Sequence, residues 1–188
     1  MGSNAEAEYD QKEINNSTEN DDIIKILKSG YVMQLPTDTL PGYLCDPSNK
    51  AAVDKIFAKK NRSHEKRIPI LVPKNWNETS LVEKWTPLEK KLIEKHWPGA
   101  LTFVKRYTTL NHLYLGNYSE TIAIRCPDDN VLLNILAQFG PLACTSANLS
   151  GKKIENTTSL GSTIIRVVDE KIHILRQGDL KIEEGCAI

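Results

Sequence analysis

Seven short apolar runs are spaced along residues 31–176, with helix-patterned stretches between them, and this order constrains the fold more than any other feature. The runs are "YVMQL" (31–35), "IPILV" (68–72), "ALTFVK" (100–105), "TIAIR" (121–125), "PLACT" (141–145), "STIIRVV" (162–168) and "KIHILR" (171–176). Each has the length and the apolar, β-branched content of a buried strand. The last two read as a pair joined around Asp169–Glu170. The intervening stretches predict helices. Asp22 to Ser29 carries Ile23, Ile24, Ile26 and Leu27 and stops at Gly30. "SNKAAVDKIFAKK" places Ala52, Val53, Ile56 and Phe57 on one face, with Ser48 as the expected cap. "TPLEKKLIEKHW" opens with the capping pair Thr86 and Glu89 and has Pro87 at its first position. A fourth helix spans 128–138, before Gly140. Helix–strand units mixed with adjacent strands imply an α/β domain on a twisted mixed sheet with flanking helices. A strict Rossmann alternation and its glycine-rich phosphate loop are both missing.

At 188 residues the chain suits one domain with a real core. Its formal net charge is zero, but residues 1–22 hold seven acids against Lys12, so the rest carries +6. A mildly basic body suits an anionic ligand. Residues 1–20 are too polar to offset their ordering entropy and are expected to be a disordered acidic tail, leaving 21–188 as the folded domain. No apolar stretch approaches the ~20 residues of a membrane span, and a cytoplasmic protein is expected. The four cysteines, Cys45, Cys126, Cys144 and Cys186, show neither zinc nor redox spacing and read as reduced thiols.

Several strand ends carry small polar or basic clusters. These are "PTDT" (36–39), Arg125, "TSANLSG" (145–151) and Arg176, while "KKNRSHEKR" (59–67) adds cations between a helix and a strand. Ligands of α/β sheets bind at strand ends, where loops converge. Arg forks and Lys point charges suit phosphates. Taken singly, each has a plainer reading: a turn, a helix cap, a structural ion pair, a solvated charge run. Cys144 invites a nucleophile story, but no histidine can be assigned as its base.

Taken together and in order, these stretches resemble the YrdC-like threonylcarbamoyl-AMP synthases. The matching signatures are Pro36-Thr-Asp-Thr with Gly42, Lys60-Asn-Arg62, "WPGALTFV" (97–104), "TIAIRCPDD" (121–129), Ser146-Ala-Asn148, "STII" (162–165) and "ILRQG" (174–178). The resemblance implies a YrdC-like domain with a concave basic crevice. It also implies synthesis of threonylcarbamoyl-AMP and pyrophosphate from L-threonine, bicarbonate and ATP, for the threonylcarbamoyl modification of tRNA by a downstream transferase. On this resemblance Lys60, Arg62 and Arg176 are expected on the ATP phosphates, with Thr121 and Asn148 as further nucleotide contacts. Lys60 and Arg62 are the expected catalytic cations. Thr37, Arg125, Ser146 and Ser162 are expected around the threonine. Mg2+ is expected to ride on the phosphates, with no protein ligand evident.

The chain departs from the family pattern in three places, the first being "RSHEKRIPI" (62–70), which lacks the usual proline after the signature arginine and is slightly long before Pro69. Leu40 is followed by Pro41-Gly42-Tyr43 where many members carry Tyr-Gly-Leu. Only ten residues separate Gly151 from Ser162, where the family often has a helix and a strand. Two other readings stay open at this level: a non-catalytic paralogue binding double-stranded RNA or tRNA on the basic surface, and a nucleotide-binding regulator without turnover.

Overall fold

The computed structural model describes residues 17–76, 81–108, 113–116, 120–149, 154, 156–183 and 185. In chain order the elements are α1 (Ser17–Lys28), β1 (Met33–Leu35), β2 (Gly42–Cys45), α2 (Lys50–Lys60), β3 (Ile70–Leu71) and α3 (Pro87–His96). They continue with β4 (Leu101–Arg106), β5 (Thr121–Arg125), α4 (Asn130–Phe139), β6 (Leu142–Ser146), β7 (Thr163–Val168) and β8 (Lys171–Arg176). The eight strands form one mixed sheet in the order β1-β2-β6-β3-β5-β4-β7-β8. The β3–β5 and β4–β7 pairs are parallel and the others antiparallel.

Local chemistry explains most boundaries. Thr86 and Glu89 form the expected capping box, with Pro87 opening α3. Asp169 and Glu170 both have φ near +50° (49° and 55°), the left-handed backbone that a tight two-residue hairpin needs. Pro69 and Pro73 lack the N–H groups a ladder uses, so "IPILV" contributes only Ile70 and Leu71 to β3.

Three expectations are corrected. The first helix begins at Ser17, not Asp22, so 17–20 are helical rather than tail; 1–16 lie outside the described residues, as does Cys186. The cap of α2 is Asn49, whose Oδ1 accepts the Ala52 N–H at 3.1 Å. Ser48 instead donates its hydroxyl to Asp46. Finally, "GYLC" is a strand, β2, paired with β1 and β6. Its four residues follow two prolines too closely to show a strand pattern.

Helices cover the two faces of the sheet unequally. Helices α2 and α3 share one apolar cluster with Ile70, Leu101, Phe103, Ile122, Ile124, Ala143 and Ile165. Helices α1 and α4 share another with Leu35, Leu44, Leu71, Leu142 and Cys144. That second cluster draws no residue from β4, β5, β7 or β8. Successive side chains alternate faces. The residues alternating with Leu101, Phe103, Ile124 and Ile165, namely Thr102, Arg125 and Ile164, therefore face away from α2 and α3. That half of the face carries no helix among the described residues, and its end forms the crevice.

Candidate anion-binding crevice

The sheet register collects one set of strand ends: the end of β5 at Arg125, the start of β4 at Leu101, the start of β7 at Thr163 and the end of β8 near Arg176. The opposite ends of β1, β2 and β6 meet where the "PTDT" turn and Ser146 lie. The turn bridges the two sets. Arg125 donates from Nη1 to Thr39 Oγ1 (2.8 Å), from Nη2 to Asp38 Oδ1, and from Nε to Gly99 O (2.9 Å). A guanidinium has five N–H groups. Among the described residues three are used, so one remains on each terminal nitrogen for a carboxylate.

Ser162 and Arg176 sit at the same end. Ser162 Oγ lies 2.7 Å from Thr102 Oγ1, and both residues are buried. Arg176 donates from Nε and Nη2 to Ser162 O at 3.2 and 2.7 Å, leaving Nη1 without a partner among the described residues. Burial lowers the Arg176 pKa and the Arg125 charge adds to this, so a ligand entering here meets two neighbouring cations. Gly178 holds the backbone tight behind them. A Cβ there would stand 2.2 Å from Gly161 O, so the glycine of "ILRQG" is a packing requirement.

The other half of the crevice is built on Lys60 at the end of α2. Its ammonium donates to Ser146 O (2.5 Å), Asn148 O (2.8 Å) and Asn148 Oδ1 (3.0 Å). Those three bonds use all three of its N–H groups. Ser146 Oγ donates to the same Asn148 Oδ1 at 2.6 Å. Lys60 is only 2% exposed, and burial, aided by the Arg62 charge, pushes its pKa down to about 8. Lys60 thus clamps the 146–148 loop. Arg62 donates to Lys66 O (2.8 Å) and Arg67 O (2.5 Å), and its Nη1 has no partner among the described residues. Pro41 O accepts the Ala147 N–H at 2.8 Å, tying this loop to the "PTDT" turn.

The expected site residues therefore fall into two groups. Arg125, Ser162 and Arg176 come together at one end, and Lys60, Ser146 and Asn148 at the other. Two expectations take a different form. Thr37 turns its hydroxyl into its own turn, accepting from Thr39 N (3.1 Å) and donating to Leu40 O (2.8 Å), while Thr39 reaches Arg125. Thr121 opens β5, four residues from Arg125, a rise of ~13 Å; its carbonyl accepts from Arg67 Nη1 at 3.1 Å. Asp38, Gly99 and Thr102 were not among the expected site residues, whereas the resemblance implies that both threonines of "PTDT" belong to the threonine pocket. Asp38 had one signal, a lone acid between two hydroxyls. Cys144 lies in the core, and burial pushes its thiol up to about 12, so it is no nucleophile at neutral pH. Among the described residues no cluster of three His, Cys, Asp or Glu could hold a metal, and Asp38 pairs with Arg125 through Oδ1. No helix among the described residues is long and apolar enough to cross a membrane.

An open mixed α/β sheet with a cationic crevice at its strand ends defines the class of the protein. The family model named Sua5/YciO/YrdC and described as "Telomere recombination" matches residues 25–160, and the chain belongs to this family. It is 30% identical over 165 residues to a threonylcarbamoyl-AMP synthase of Pseudoalteromonas translucida, covering 86% of this chain and 83% of that protein. A putative threonylcarbamoyl-AMP synthase of Mycobacterium leprae is 32% identical over 129 residues, covering 69% of this chain and 59% of that one. The crystal structure of P. abyssi Sua5 complexed with L-threonine superposes with a TM-score of 0.75 at 25% identity, covering 89% of this chain and 56% of that one.

Proposed function

We propose that the protein is an L-threonylcarbamoyladenylate synthase, a nucleotidyltransferase that joins L-threonine, bicarbonate and ATP and releases pyrophosphate. The observation that carries this reading is Arg125: a buried guanidinium with two N–H groups to spare, held against a threonine-rich turn and beside Arg176. A relative solved with L-threonine and relatives named as synthases support it.

In this reading Arg125 and Ser162 hold the threonine carboxylate. The α-ammonium first loses one proton; the free amine then attacks the bicarbonate carbon, and the hydroxide that leaves takes the second amine proton, giving a carbamate and water. A carbamate oxygen then attacks the α-phosphorus of ATP, and the bond to the β-phosphate breaks. Both reactants are anionic, so alignment and charge offset carry the catalysis. Nη1 of Arg62 and of Arg176 are the donors open to the triphosphate. Lys60 acts by shaping the Ser146–Asn148 loop. Mg2+ finds no carboxylate set among the described residues and enters as the counter-ion of ATP. The product passes in the cytoplasm to a tRNA threonylcarbamoyl transferase. The test is pyrophosphate release from ATP with L-threonine and bicarbonate each present or withheld. Release is expected only with both; equal release with neither removes the synthase reading.

A further inference from the structure

At the Arg125 end the described residues bring together two guanidiniums, Arg125 and Arg176, and one carboxylate with an oxygen left for a ligand. Asp38 touches Arg125 through Oδ1 alone, so the pair is one-pronged. Its Oδ2 has no hydrogen-bond partner among the described residues, yet it is not among the atoms sealed from solvent. The other nearby acid, Asp179, has both oxygens occupied, Oδ1 by Leu160 N (2.7 Å) and Oδ2 by Ser159 Oγ (2.5 Å). An unpaired carboxylate oxygen next to a guanidinium with spare donors offers both signs of charge within one side chain's reach. A free α-amino acid presents the complementary pair, a carboxylate and an ammonium on one carbon.

We infer that Asp38 and Arg125 form a two-sign clamp: Arg125 takes the carboxylate of the substrate, and Oδ2 of Asp38 takes its α-ammonium. The clamp selects free α-amino acids over simple hydroxy acids, and it holds the amine, the atom that must meet bicarbonate. This rests on the synthase reading and adds a binding role for Asp38.

The test uses the full chain and two ligands. L-threonine carries both charges; 3-hydroxybutyrate keeps the carboxylate and hydroxyl without the amine. Their dissociation constants are measured by calorimetry or by competition. The wild type should bind L-threonine at least ~30-fold more tightly, as expected for one charge-assisted contact. Asp38→Asn keeps an oxygen on Arg125 and removes the charge. It should lower L-threonine affinity by ~30-fold and 3-hydroxybutyrate affinity by less than ~3-fold. Thr39→Val removes another Arg125 partner without changing charge, and should weaken both ligands by one common factor. If Asp38→Asn also weakens both equally, or neither, Asp38 only positions Arg125 and the clamp is wrong. A wild-type preference under ~3-fold overturns it without any variant. A wild type that binds neither ligand removes the synthase reading itself.

Discussion

Two buried ion pairs lie on opposite faces of neighbouring strands, and they differ in what they leave unfinished. Lys105 on β4 meets Glu89 of α3 at 2.7 Å, with side chains 8% and 1% exposed. Lys105 also lies over the Trp85 ring at 5.2 Å and reaches Lys84 O at 3.3 Å. Glu89 Oε2 takes the Thr86 N–H of the capping box as well. The one loose end, Glu89 Oε1, is sealed from solvent. Arg125–Asp38 is nearly as buried, at 9% and 13%, but its spare N–H groups and spare oxygen adjoin the half-face that no helix covers. The first pair completes a helix–sheet joint. In the proposed reading, the second is half of an interaction whose other half is a ligand. Burial alone does not distinguish them; what remains unpaired, and whether a ligand can reach it, does.

The largest expected effect follows from removing the guanidinium of the second pair. Arg125→Ala should lower kcat/KM for L-threonine on the order of 1,000-fold, about 4 kcal/mol of transition-state stabilisation. Arg125→Lys should recover little, because an ammonium cannot supply the same planar fork. Steady-state pyrophosphate release measures both. A kcat/KM within a few-fold of wild type would make Arg125–Asp38 a structural pair like the other and erase the contrast.

The matching cut in the first pair should move stability instead. Lys105→Met leaves Glu89 as an unpaired buried charge, which costs ~3–5 kcal/mol. For a chain of this size that is a Tm drop of roughly 6–20 °C. The KM for threonine and for ATP should stay unchanged at 25 °C. Adding Glu89→Leu should restore most of the Tm, since the charge left behind is gone. Thermal unfolding with kinetics decides it. A large rise in KM without loss of Tm would place Lys105 in the ligand site.

This contrast also marks how far the sequence could be read. The strands other than β2, the α3 cap and the turn at Asp169–Glu170 were legible because each depends on neighbours along the chain. The residue types of the crevice were legible too, through strand ends and family signatures. Their partnerships were not. Asp38 and Arg125 stand 87 positions apart, and Lys60 and Asn148 stand 88 apart, so no local pattern records either pair. Thr37 and Thr39 are equivalent on paper; only the turn geometry sends one hydroxyl inward and the other to Arg125. The family signature singles out Lys60 from its neighbour Lys59, but only the helix shows that Lys60 is buried and Lys59 exposed.

That last pair gives the smallest and most specific prediction. Lys60 is a third buried cation, and unlike Lys105 and Arg125 it has no carboxylate partner among the described residues, only three neutral oxygens. Its folded pKa of about 8 lies below the ordinary lysine value of 10.5. Between those values the unfolded chain keeps a proton that the folded chain has shed, so the Lys60 contribution to stability must rise with pH. Measured as the unfolding free energy of wild type minus that of Lys60→Met, the gain from pH 7.5 to 9 should be about 1 kcal/mol. Lys59→Met is the control. Lys59 is exposed and meets only the face of the Tyr43 ring at 5.8 Å, so its removal should leave the pH dependence as in wild type and kcat/KM within ~3-fold. A flat difference for Lys60→Met through pH 10 would mean that the three oxygens hold the charge against burial. Lys60 would then belong with Lys105, as a cation fully satisfied inside the fold.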